Sequence, residues 1–259
     1  MKFGVCFDIR EPLREHPRKS DYLEIAGTHI DSLTSDEFAL IKNRVADKKI
    51  KPYSCNGLID PSLRLTGPDV NLNAIQGYCD RLFYRLAELN VGILVFGSGK
   101  AKRVPDGFSI EKAWEQLFKI GDILASTAKQ FGQAIAVEPL SYKEVNIINT
   151  VDEAAYYAKT VNRDNFKILV DFYHFDSNND DFSSLQRNSA LITHAHFAAQ
   201  KTRTIPNSAE DWRFFEKCLR ALWDIGYTGA LSYEGKKPYA HELDNMILRM
   251  KDIEKGINT

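Results

Sequence analysis

Short apolar runs rich in β-branched and aromatic residues recur along the chain at 3–9, 22–26, 50–55, 91–96, 134–137, 167–170, 191–197 and 230–233, each of strand length. Between most of them apolar positions return every three or four residues, at 35–47, 71–89, 110–131, 151–160, 209–225 and 241–253, which predicts amphipathic helices. Cap residues stand where these helices should open: Thr34 or Ser35, then Ser109, then Thr150 with Glu153 three residues later as a capping box. Gly132 and Gly226 follow the helices that precede the fifth and eighth runs, where glycine enters the left-handed conformation without steric cost.

Eight strands alternating with helices in 259 residues fit a closed parallel barrel, because parallel strands need crossovers and closure leaves no open edge. The expectation is an α/β fold of the (βα)8 TIM-barrel type, with residues 1–259 forming a single domain. An open doubly wound sheet is the alternative. The first run, however, leads into Asp8-Ile9-Arg10-Glu11-Pro12 rather than the glycine fingerprint that cradles a dinucleotide. No repeat, low-complexity tract or flexible linker marks a second domain. Two long loops, at 52–69 and 97–108, are expected to lie over the top of the barrel.

Charge and composition narrow the partners. Lys and Arg number 34 against 35 Asp and Glu, a net charge of -1, so a nucleic-acid or anionic-membrane partner is not expected. The longest apolar stretches, such as 93–96, fall far short of the roughly 18 residues that span a bilayer. Met1-Lys2 leads into a run containing Asp8 without the pattern of a signal peptide, and a cytoplasmic location is the expectation. Cys6, Cys55, Cys79 and Cys218 lack CxxC spacing and read as reduced thiols. Barrels of this kind often pair, so a homo-oligomer is left open.

In such a barrel the chemistry sits at the carboxyl ends of the strands. There the fifth run ends Val137-Glu138-Pro139, the sixth Val170-Asp171, the seventh His194-Ala195-His196 and the eighth Tyr233-Glu234. Each residue alone reads more simply as a solvated charge or a core histidine, but four polar ends in consecutive units do not. Three carboxylates and one imidazole pointed into one mouth would repel and perturb each other unless a divalent ion sat among them. Glu138, Asp171, His196 and Glu234 are therefore the expected ligands of one divalent metal ion. Their oxygen-rich donor set suits Mn²⁺, Mg²⁺ or Co²⁺, with Zn²⁺ as a further candidate.

These residues, together with Glu144-Val145-Asn146, Phe172-Tyr173-His174, Arg203 and Tyr233-Glu234-Gly235, resemble the xylose-isomerase-like sugar phosphate isomerase/epimerase superfamily. Within it the chain is most similar to ketose 3-epimerases of the D-tagatose 3-epimerase type. The resemblance runs through essentially the whole chain in strand order. It implies that Glu138 and Glu234 double as the acid/base pair, and that Glu144, His174 and Arg203 contact substrate hydroxyls or the developing oxyanion. The chemistry so implied moves a proton at the carbon beside a ketose carbonyl through a cis-enediolate, in a small sugar or sugar derivative; its return to the same carbon makes a sugar epimerase and to the adjacent carbon an aldose–ketose isomerase.

The same residues would serve a dehydratase or lyase acting on an oxidised sugar, glycoside or inosose, which is the alternative function. An abasic-DNA endonuclease would need more histidines than the six present and a basic groove, and an inactive scaffold would have no use for these ligands. Gly97-Ser98-Gly99-Lys100 with Lys102 and Arg103 could cradle a phosphate, but a solvated loop is the simpler expectation. Glu24 is expected in a buried ion pair facing the barrel, and His194 beside His196 as its interior partner. Phe7, Phe96, Phe172 and Phe197 are candidates for an apolar wall against the sugar, with barrel packing as the simpler reading.

Overall fold

The computed structural model describes residues 1–12, 15–47 and 49–257. Its eight strands are β1 (Lys2–Cys6), β2 (Tyr22–Ala26), β3 (Pro52–Asn56), β4 (Ile93–Phe96), β5 (Ala134–Val137), β6 (Phe166–Asp171), β7 (Ile192–Phe197) and β8 (Ala230–Tyr233). They pair in parallel in chain order, and β8 returns to β1, with Leu231 opposite Phe3, to close the barrel. β1 stops at Cys6, short of the expected residue 9, because Asp8 turns the chain: its Oδ1 accepts from the Arg10 backbone N–H at 3.0 Å.

The long helices fall where periodicity placed them: α2 (Ser35–Ala46), α3 (Leu72–Glu88), α5 (Ile110–Gln130), α6 (Val151–Val161), α9 (Ala209–Asp224) and α10 (Ala240–Ile257). Four short ones, α1 (Gly27–Asp31), α4 (Gly99–Lys102), α7 (Phe172–Ser177) and α8 (Ser183–Arg187), span too few turns to show a period. A complete capping box forms at Thr34 with Glu37. At Thr150 only half of one does: Thr150 Oγ1 accepts from Glu153 N, but the Glu153 carboxylate turns to the N–H of Asn149 at 2.6 Å. No helix among the described residues is long and apolar enough to cross a membrane.

Strand alternation sorts side chains between two environments. Phe3, Val5, Leu23, Ile25, Leu94, Phe96, Ile135, Val137, Ile168, Val170, Ala195, Phe197 and Leu231 belong to the main core between sheet and helices. The interior holds a small separate apolar cluster of Ile93, Val95, Ala136 and Leu169. Buried polar residues, among them Glu24, Ser54, His194, His196 and Ser232, come from the intervening strand positions. Barrel packing, the simpler reading of the four aromatics, is what the structure shows. Phe96 packs on Tyr157, Phe197 on Phe215 and Phe172 on Phe175, all in the main core, while Phe7 meets His16 edge-on.

One interior contact depends on a missing side chain. A Cβ at Gly4 would lie 2.3 Å from the Tyr22 ring, whose hydroxyl passes over β1 to stand 2.8 Å from Ser232 Oγ on β8. Gly4→Ala should therefore force the ring or strand β1 to shift and cost about 1–3 kcal/mol. Urea unfolding measures this directly, and an unchanged midpoint would show that Tyr22 yields without loss.

Candidate active site

Barrel closure brings together the four residues expected as ligands. Glu138 directly follows β5, Asp171 ends β6, His196 lies in β7 and Glu234 directly follows β8. One donor atom from each lies within 4.8 Å of those of the other three. His196 Nδ1 stands 3.3 Å from Glu138 Oε1 and 3.6 Å from Glu234 Oε2. Asp171 uses Oδ1 to cap the short helix α7, accepting from Tyr173 N at 2.7 Å, and leaves Oδ2 free.

Glu24 beneath them orients the imidazole. Its Oε1 accepts from His196 Nε2 at 2.8 Å, so His196 turns Nδ1 toward the carboxylates. Oε2 accepts from Ser54 Oγ at 2.6 Å, His194 Nε2 at 2.7 Å and Ser232 Oγ at 2.7 Å. Each of these groups is fully buried. His194 thus touches His196 through Glu24; the expected buried ion pair of Glu24 is with His196, while burial lowers the His194 pKa and leaves it a hydrogen-bond partner. A carboxylate–histidine pair of this kind fixes which ring nitrogen is left to a metal.

Electrostatics describes a site short of positive charge. Burial, then the charge of Glu234, raises the Glu138 carboxyl above its ordinary value. Burial opposes ionisation of Glu234 too, but His196 and Arg203 outweigh it and bring that carboxyl down to about 2. Burial also opposes a charge on His196, yet Glu24, Glu234 and Glu138 hold its proton well above the usual imidazole range. Glu24 stays well below the carboxylate range because the two imidazoles overcome its burial.

The donor set fits a divalent cation on an independent observation. Glu138 Oε1, Asp171 Oδ2 and His196 Nδ1 are buried and have no hydrogen-bond partner, although each lies at the point where the four residues meet. Unpaired buried polar atoms are costly, and a shared cation, bound as the imidazole gives up its proton, is the partner that would satisfy all three at once.

The other expected residues surround this point. His174, in α7, is buried, and its Nδ1 accepts from Ser141 N at 3.2 Å. The proton is therefore on Nε2, which stands 3.6 Å from Asp171 Oδ2. Arg203 donates to Glu234 Oε2 at 2.9 Å and to Glu144 Oε1 at 3.2 Å, and its guanidinium lies 4.9 Å from the Tyr173 ring centroid. Glu144 is the exposed member, placed with Arg203 on the rim.

Three contributors were not read from the sequence as parts of this site, although Gly97 and Lys102 stood in the candidate phosphate loop. Asn56, at the end of β3, donates to Glu234 Oε1 at 2.7 Å. A Cβ at Gly97 would lie 2.1 Å from Glu138 Oε2, so only glycine leaves that carboxylate its place. Lys102 is fully buried and donates to the Glu138 carbonyl oxygen at 3.0 Å. Of the three cations in its loop, Lys100 and Arg103 stay exposed as expected of a solvated loop, and Lys102 alone turns inward. Arg64 donates to the carbonyls of Lys100 and Arg103, and Asn146 Nδ2 to that of Val104, which locks 99–104 against neighbouring loops. The glycines were visible; the packing that gives them a purpose was not.

The fold and the strand-end site define a TIM-barrel enzyme framework with a candidate metal centre at its mouth. A profile of the family described as xylose isomerase-like TIM barrel matches residues 17–253, and the chain belongs to that family. D-psicose 3-epimerase of Agrobacterium fabrum (strain C58 / ATCC 33970) is 26% identical over 222 residues, covering 83% of this chain and 74% of that one. Two solved structures share the fold. D-psicose 3-epimerase with D-tagatose, from Clostridium cellulolyticum H10, superimposes with a TM-score of 0.79 at 18% identity over 99% of each chain. The apo form of 3-keto-D-glucoside 4-epimerase from E. coli does so with a TM-score of 0.76 at 20% identity, over 97% of this chain and 99% of that one.

Two outcomes follow for metal binding. The proton that the carboxylates hold on His196 must leave before Nδ1 can ligate, so Mn²⁺ binding should release protons and weaken as pH falls through and below that raised range. Calorimetry in buffers of different ionisation heat reads the release, and none would refute this role of His196. Glu24→Gln should weaken Mn²⁺ binding about 10–100-fold by loosening His196. An unchanged dissociation constant would show that the imidazole is held elsewhere.

Proposed function

We propose that this chain is a divalent-metal-dependent sugar epimerase that moves a proton at the carbon beside a ketose carbonyl. The observation that carries this reading is the convergence of three carboxylates and one imidazole, three of their donor atoms buried without partners. The ketose substrate class is supported by the 26% identical D-psicose 3-epimerase.

Glu138 and Glu234 are the acid/base pair. They reach the site from β5 and β8, so a sugar bound between them offers opposite faces to the two carboxylates. One carboxylate takes the proton from carbon. The C–H electron pair becomes the carbon–carbon double bond as the carbonyl π pair moves to oxygen, giving a cis-enediolate, and the other carboxyl group, in its protonated form, delivers its proton to the opposite face as those electrons return. Asn56 and Arg203 hold one oxygen each of Glu234 and so aim it. His174 Nε2–H and the Arg203 guanidinium donate to the oxyanion and a neighbouring hydroxyl, and Glu144 accepts from another. A divalent ion held by Glu138, Asp171, His196 and Glu234, of which Mn²⁺, Mg²⁺, Co²⁺ and Zn²⁺ are candidates, would supply Lewis acidity to the sugar oxygens.

Incubation with Mn²⁺ and a panel of ketoses in heavy water tests this reading by mass spectrometry. Deuterium at the carbon beside the carbonyl, with inversion there, is expected; transfer to the former carbonyl carbon would mark an aldose–ketose isomerase instead. Expulsion of a leaving group from an oxidised glycoside, without exchange into ketoses, would overturn the epimerase in favour of a lyase. Glu234→Gln should slow exchange about 10²–10⁴-fold. Full exchange by that variant would remove Glu234 from the acid/base pair.

A further inference from the structure

Lys102 is an ammonium placed where burial is expensive. Its side chain is fully buried, yet among the described residues its one side-chain hydrogen bond runs to a neutral acceptor, the Glu138 carbonyl oxygen at 3.0 Å. The carboxylates of Glu138, Glu153 and Glu144 act on it only at longer range, and the Phe96 ring lies beneath it at 5.7 Å. A methionine of similar length would fill this space without the desolvation cost, so packing alone does not account for a lysine.

The carbonyl it holds belongs to the peptide joining Glu138 to Pro139, which has no N–H. On the other side Glu138 N donates to Phe96 O at 3.1 Å, the last bond by which β4 steers the chain leaving β5. The segment bearing Lys102 also supplies Gly97, whose missing side chain makes room for Glu138 Oε2. That segment is anchored: Leu65 N donates to Ala101 O at 2.9 Å and Thr66 Oγ1 to Arg103 O at 2.8 Å. One short stretch between β4 and α5 therefore shapes both the backbone and the carboxylate of a single residue.

We propose that Lys102 is a positioning residue for Glu138: by holding the Glu138 carbonyl at the exit of β5 it sets where that carboxylate stands among the metal ligands and against the substrate. This rests on the metal-dependent reading of the site. Lys102 itself touches neither metal nor substrate.

The test compares Lys102→Met, Lys102→Arg and Gly97→Ala with the wild-type chain, using Mn²⁺ alone as the probe, thermal melting, and ketose turnover. Lys102→Met should melt at or above the wild-type temperature, bind Mn²⁺ about 10–100-fold more weakly, and lose kcat with little change in KM. Lys102→Arg, which keeps a charged donor, should recover part of the affinity. Gly97→Ala displaces the same carboxylate, so its loss should combine with that of Lys102→Met less than additively. Equal Mn²⁺ affinity and equal kcat in Lys102→Met would overturn the assignment while leaving the metal site standing. Weaker binding matched by a proportionate fall in melting temperature, with no rescue by Lys102→Arg, would reduce Lys102 to a structural role. Failure of the wild-type chain itself to bind Mn²⁺ would overturn the metal reading and this proposal with it.

Discussion

A carboxylate buried in the middle of a closed barrel must be compensated by its neighbours, and the polar interior of this protein is organised around that need at Glu24. Four side chains from three strands, Ser54, His194, His196 and Ser232, converge on its two oxygens. The same bonds that make Glu24 tolerable pin the His196 ring. Nδ1 is then the nitrogen left to the mouth, where Glu138, Asp171 and Glu234 meet it. The candidate centre is thus an outgrowth of a solvation problem solved one layer below.

The barrel interior is consequently divided. Ile93, Val95, Ala136 and Leu169 fill part of it with hydrocarbon, while β2, β3, β7 and β8 supply the polar network. Tyr22 joins the two, its ring accommodated by Gly4 and its hydroxyl on Ser232. Such packing leaves little room for strand side chains to adjust. Tuning of Glu138 accordingly falls to the loop after β4, where Gly97 and Lys102 reach it from above. Arg203 plays the matching part for Glu234 from the loop after β7, helped by Asn56 from β3.

The two carboxylates proposed to exchange the substrate proton are therefore held differently. Glu234 has a donor on each oxygen and a cation beside it, whereas Glu138 has one oxygen without a partner and a backbone clamped from behind. That inequality gives the opposite faces of a bound sugar distinct environments.

Particular residues separate what could be read along the chain from what could not. Strand and helix alternation was legible because a period of two and a period near 3.6 leave different apolar patterns, and the strand ends then pointed to Glu138, Asp171, His196 and Glu234. Glu24 and His194 were legible as interior polar groups for the same reason. The short helices were not, because four to six residues cannot display a period. Phe96, Phe172 and Phe197 read more simply as packing than as a wall against substrate, and the core contacts agree, although an aromatic at a strand end is equally apolar inside and out. Asn56, Gly97 and Lys102 became functional candidates only through distance: a lysine in a glycine-rich loop reads as solvated until neighbouring loops bury it against Glu138. Local pattern determined which elements form and which residues reach the mouth, because periodicity is written residue by residue. Closure of the barrel and the docking of its loops decided which of them touch, because those contacts join segments dozens to hundreds of residues apart.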